Sequence, residues 1–196
     1  MASNRRLVLL AAAVALAGCS PARTRIVTFL PAAVPPRAQR VSGSCWTHSI
    51  AAPARPDAWR CTLGNRIEDP CFEIAGESDL LCGANPADPA QAHPLALALT
   101  LPLPHEPIPA RIAPQPWLLE LADGAVCRPF TGTRPPGPAG RIGTYACSDG
   151  STVFGPLEPP QSNGIWLAEV GRVATSAAGP PQVRDLHQVP VKAAWR

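Results

Sequence analysis

The chain has 196 residues, with 17 basic against 14 acidic, 26 prolines, 15 glycines and seven cysteines. Two of the basic residues, Arg5 and Arg6, fall in the first 18 positions; without them the charge is close to +1, no excess for gripping nucleic acid or for a broad electrostatic membrane patch. Lys192 is the only lysine, and an arginine-, alanine- and proline-rich composition reads as GC-rich coding bias more than as selection for phosphate binding.

The chain opens on Arg5-Arg6 and an apolar run from Leu7 to Ala17. Eleven residues suit the core of a secretory signal and fall short of the about 20 that cross a bilayer. Leu16-Ala17-Gly18-Cys19 follows with small residues before a cysteine, and this segment resembles the lipobox of bacterial lipoproteins. The resemblance implies a signal peptide over 1–18, cleavage before Cys19, and acylation of Cys19 on its sulfur and new amino group. Two or three chains would hold the protein at a membrane for good, since each buried methylene adds about 0.8 kcal/mol. The implied location is outside the cytoplasm. Ser20 implies export to the outer membrane in a two-membrane host, and otherwise the outer face of the cell membrane.

Residues 19–43 are expected to be the lipidated cysteine and a flexible tether. Pro21, Pro31, Pro35 and Pro36 interrupt any period, and an extended chain of that composition gains about 3.1 Å per residue, so it would lift a domain roughly 75–80 Å. Ile26-Val27-Thr28-Phe29-Leu30 is the one stretch there that could pair as a strand.

From residue 44 to 196 the apolar segments are short and bounded by Gly, Pro, Asn or Asp, as strands are. They predict strands at Cys45–Ile50, Ala58–Leu63, Leu95–Leu101, Trp117–Leu121, Ala125–Cys127, Gly143–Cys147, Thr152–Phe154, Ile165–Val170 and Val189–Trp195. Ala122-Asp123-Gly124, Ser148-Asp149-Gly150 and Ser162-Asn163-Gly164 are turn signals that tolerate positive φ. No segment carries a capped helical period. The expected fold is mostly β, a small disulfide-braced sandwich or barrel-like domain. The proline-rich stretch 102–116 reads as an edge or surface loop, and it divides the domain into two possible halves. A short echo fits two halves: Trp59-Arg60-Cys61 before Gly64, and Tyr145-Ala146-Cys147 before Gly150.

Six cysteines remain after Cys19: Cys45, Cys61, Cys71, Cys82, Cys127 and Cys147. An even number in an oxidising compartment predicts three disulfides, and nearest-neighbour pairing gives Cys45–Cys61, Cys71–Cys82 and Cys127–Cys147. None of these cysteines has zinc-ligand spacing, and no metal or cofactor is expected.

Motifs of catalysis are missing. There is no Gly-x-Ser-x-Gly elbow, no phosphate-binding glycine loop and no calcium loop. His48, His93, His105 and His187 lie in strands or loops without a catalytic pattern. Glu68, Asp69, Glu73, Glu77 and Asp79 cluster over 68–79, where a carboxylate pair could hydrolyse a glycoside or simply be solvated. Of five tryptophans, Trp46, Trp59, Trp117, Trp166 and Trp195, most are expected to pack against the disulfides. An exposed one could stack on a sugar.

Cys45-Trp46, Trp59-Arg60-Cys61, Gly64-Asn65 and Asp69-Pro70-Cys71-Phe72 resemble uncharacterised secreted bacterial proteins. Tyr145-Ala146-Cys147-Ser148-Asp149-Gly150 before Val153-Phe154 resembles the Tyr-x-Cys opening of small lipoprotein inhibitors of c-type lysozyme, which implies a small β-barrel over about ten residues of match. Four functions follow as expectations: a non-catalytic module binding an envelope protein or glycan, a hydrolase using the acids of 68–79, a lysozyme-inhibitor-like lipoprotein, or a purely structural lipoprotein that spaces or braces the envelope.

Overall fold

A computed structural model gives the fold and describes residues 23–105, 107, 114–158, 164–176 and 179–196. The signal segment, Cys19, Pro109 and the Ser162-Asn163 turn lie outside the described residues.

The fold is all β, built as two barrels on either side of the proline-rich stretch. The N-terminal barrel closes five strands: β2 (Gln39–His48), β3 (Ala58–Leu63), β4 (Arg66–Phe72), β5 (Leu80–Cys82) and β6 (Leu95–Leu99). Neighbours pair antiparallel except at the seam, where β2 runs parallel to β6 from Gln39↔Leu95 to Gly43↔Leu99. On the other side of β2, the close approach of β3 requires Gly43: a Cβ there would lie 2.2 Å from the Thr62 carbonyl oxygen.

The C-terminal barrel closes six strands: β7 (Leu118–Leu121), β8 (Val126–Pro129), β9 (Gly143–Cys147), β10 (Thr152–Glu158), β11 (Leu167–Ser176) and β12 (Gly179–Trp195). All its pairs are antiparallel, and β12 returns to β7 to shut the ring. The one helical element described is a 3₁₀ turn at Pro138–Gly140.

All three disulfides join the predicted partners, and each links residues directly opposite on adjacent strands: Cys45↔Cys61, Cys71↔Cys82 and Cys127↔Cys147. Pairing follows chain order because consecutive strands are neighbours in both barrels. The repeated aromatic-x-Cys-x-x-Gly motif has one structural meaning. In β3 and β9 the aromatic and cysteine face inward, and Gly64 and Gly150 turn the hairpin at φ of 60° and 82°.

A tether over 19–43 is not what the structure shows from Arg25 onward. β1 (Arg25–Val27) pairs in parallel with β12, from Arg25↔Ala193 to Val27↔Trp195. Thr24 Oγ1 donates to the Val191 carbonyl, and Phe29 packs edge-on against Phe72 and Trp117 at 5.2 Å. The apolar patch is recruited because β12 has an open edge for it and the junction between the barrels has room for its phenyl ring.

That junction has its own core. Ala58, Phe72, Ile74 and Leu81 of the N-terminal half meet Trp117, Leu118, Ala193 and Trp195 of the C-terminal half. Arg55 ties the same place together, donating to the Phe29 and Arg196 carbonyls and pairing with Asp57. The barrels therefore share one hydrophobic seam, flanked by two separate interiors.

β4 was not among the predicted strands. Its Pro70 sits where the β3 register shifts between Trp59 and Cys61, the bulge position at which a missing N–H costs no ladder bond.

Candidate functional site

The bulge in β4 turns Asp69 out of the barrel, into a cleft of about 600 Å³ between the two halves. Arg66, Glu68 and Asp69 come to it from β4. Asn85, Gln91 and His93 come from the β5–β6 connection, and Arg128 and Thr131 from the C-terminal barrel.

Asp69 has no exposed side-chain surface. Its carboxylate accepts from Ser49 Oγ, from the Ile50 and Ala51 N–H groups at 3.3 and 3.4 Å, and from Arg60 Nη1 at 3.0 Å. Ser49 Oγ in turn accepts from the Ala52 N–H, so Asp69 folds the turn after β2. Burial pushes its carboxyl up from the usual range, opposed by those hydrogen bonds and by the charge of Arg60.

Arg60 carries the arrangement across the junction. Its Nη2 donates to the Thr131 carbonyl at 2.9 Å, and its guanidinium lies 5.7 Å from the ring centroid of Trp46. Trp46 keeps 42% of its surface exposed, the most of any tryptophan. Opposite, Arg128 donates to the Ala84 carbonyl and sits 6.0 Å from the Trp117 ring. Burial lowers its pKa, and the charge of Glu68 acts against that. Glu68 itself accepts from Arg66 at 2.8 Å.

Of the five predicted acids, the structure brings only Glu68 and Asp69 into the cleft. Glu73 accepts from Trp59 Nε1 at 2.6 Å, Glu77 from the Val34 N–H, and Asp79 pairs with Arg40 at 3.7 Å. A glycosidase needs one carboxyl free to give a proton and another free to attack or to activate water. Asp69 has four donors on it and Glu68 an arginine, so the cleft offers hydrogen-bond donors and acceptors and no uncommitted acid pair. Among the described residues, no three of His, Cys, Asp and Glu are grouped to hold a metal ion.

The histidines are dispersed. His48 stacks on Trp59 at 4.2 Å, His93 is exposed at the cleft, and His187 is exposed on β12 with Nδ1 at 2.6 Å from the Asp185 carbonyl. Trp59, Trp117 and Trp195 are buried, as expected of core residues, and Trp166 is half-buried. Arg60, Arg128 and Thr131 were not singled out in the sequence, because their meeting joins positions some 70 residues apart.

Compared with known proteins, the chain matches no family model, no curated protein and no solved structure.

Proposed function

We propose that this protein is a lipid-anchored, non-catalytic binding module of the bacterial cell envelope, and that the cleft between its barrels takes a polar ligand of the glycan class. The anchor rests on the lipobox Leu16–Cys19. The observation that carries the binding role is the Asp69–Arg60–Thr131 chain of hydrogen bonds, which fixes the two walls of the cleft relative to each other. A wall held rigid before the ligand arrives lowers the ordering cost of binding. Sites between two structural units are where ligands most often sit. Outside the residues that line the cleft, the same Arg60 lies 5.7 Å from the ring of exposed Trp46, a planar aromatic backed by a cation on which a sugar ring can stack.

The test is retention. The mature chain, immobilised with its disulfides intact, is passed over purified sacculi, soluble glycan fragments and solubilised envelope protein. Retention of glycan that falls at least tenfold in W46A and in R66A supports the reading. Retention of a protein alone makes the module a protein binder, and turnover of a glycan that E68Q abolishes makes it a hydrolase.

A further inference from the structure

The near-neutral total charge hides a local excess at one end of the C-terminal barrel. There, Trp166, Leu157, Pro156 and Ile142 line a groove of about 610 Å³ with Arg134 and Arg196 at its edge. No carboxylate side chain lines it among the described residues. Arg134 is exposed and has no ion pair among those residues. Arg196 lies over the Trp166 ring at 5.2 Å, with a buried Nε that has no hydrogen-bond partner among the described residues. Ile142 is 46% exposed.

The first of the described residues are bonded to this same place. The Trp166 N–H donates to Thr24 Oγ1 at 2.8 Å, and the Thr24 N–H donates to the Gly164 carbonyl at 3.1 Å. Between Cys19 and Thr24 the chain has five peptide steps, which reach at most about 18 Å however they are arranged. A folded unit of this length has a radius of gyration of roughly 16 Å, so that reach is shorter than the body is wide. An acyl group on Cys19 would therefore keep the Thr24–Trp166 face on the bilayer side of the body, because the reach is too short for that face to point away from the membrane.

We infer that this groove seats the headgroup of an anionic phospholipid of the membrane that holds the anchor. The inference rests on the lipoprotein reading. Arg134 and Arg196 meet the phosphate, Trp166 lies at headgroup depth where an amphipathic ring is favoured, and Ile142 and Leu157 face the acyl boundary. The lipid anchor and the groove then act as two linked contacts, and the second fixes which way the cleft between the barrels points.

The experiment uses the mature chain begun at Ser20, so that no acyl group is present, with its disulfides formed. It is sedimented with vesicles of phosphatidylcholine alone and of phosphatidylcholine mixed with phosphatidylglycerol. Binding to the mixed vesicles only is expected, with about a fivefold loss in each of R134Q and R196Q and a further loss in W166L. R172Q, on the exposed pair with Asp149, is expected to bind like the parent. No sedimentation with mixed vesicles overturns the proposal, as does binding that R134Q, R196Q and W166L leave unchanged. Full displacement by inorganic phosphate also overturns it, since that would mark a site for the free ion. Mass spectrometry of the full chain at Cys19 reads the anchor separately, so an unacylated Cys19 refutes the lipoprotein reading whatever the vesicles show.

Discussion

The N-terminal barrel surrounds an interior of four half-cystines, Trp59 and the leucines at 63, 80, 95 and 97, whereas the C-terminal barrel surrounds four valines, two leucines, three alanines, Tyr145 and Cys127. Ring size accounts for the contrast. Five strands, two of them joined by a parallel seam and one only three residues long, enclose little volume and few ladder bonds. Cross-strand disulfides fill such a narrow interior and constrain the unfolded chain together. Six antiparallel strands have room for layers of aliphatic side chains, and one disulfide suffices. The narrower ring thus holds covalent closure where the wider one holds apolar volume.

The largest expected effect would erase that distinction. Trp117 has no exposed surface and packs between the halves against Phe72 and Phe29. Trp117→Ala should cost about 3–5 kcal/mol and lower the stability of both barrels in one transition. Two separate melting steps in the variant would show that the shared seam does not couple them. Next is Asp69→Ala, which leaves Arg60 and the Ile50 and Ala51 N–H groups without their acceptor. A loss of about 3 kcal/mol is expected, with β3, β4 and the turn after β2 losing amide protection first. Unchanged exchange there would mean that water replaces the carboxylate without cost.

Removing a disulfide should sharpen the contrast. The double variant C71A/C82A opens an 11-residue closure in the narrow barrel and should cost about 3 kcal/mol, seen as faster exchange in β4 and β5 with β9 to β11 still protected. C127A/C147A, in the wider barrel, should leave its valine-rich interior folded at lower temperature. Equal loss of protection across both barrels in either variant would contradict a division of labour by ring size.

The sequence carried the local half of this structure. β3 and β9 are found at their predicted bounds, because each has an inward aromatic and cysteine followed by a glycine turn. The disulfide partners were legible for the same reason, since adjacent strands are consecutive in the chain. Residues 25–27 read as a tether because only the edge of β12, some 170 positions on, makes them a strand. β4 was hidden by Arg66, Glu68, Asp69 and Pro70, which break alternation where the strand bulges. β12 runs ten residues further back than predicted, through Pro180 and Pro181, because β11 pairs with it as a long hairpin. At the cleft, the acids were visible but their partners were not. Spacing shows where Asp69 lies and cannot show that Arg60 is spent on it.

The smallest effect separates two aspartates of opposite sign. Burial raises the Asp69 carboxyl, so the folded state holds its proton more tightly than the unfolded chain does. Its contribution is fully present below the ordinary carboxylate value and is lost as pH rises through the raised one. Asp149, in the β9–β10 turn, is the reverse. Hydrogen bonds from Ser151, joined by the charge of Arg172, hold its carboxyl below the ordinary range. Its contribution is present above that range and is lost as pH falls through the lowered value. Asp149→Asn should therefore flatten the acid side of the stability profile, while Asp69→Asn should flatten the region just above the ordinary carboxylate value. The Asp149 change should be slight, because the pair is open to solvent and salt. A denaturant midpoint followed against pH in both variants reads the signs directly. If Asp69→Asn flattened the acid limb instead, the donors from Ser49, Ile50, Ala51 and Arg60 would outweigh burial, and the carboxylate would be the form the junction is built around.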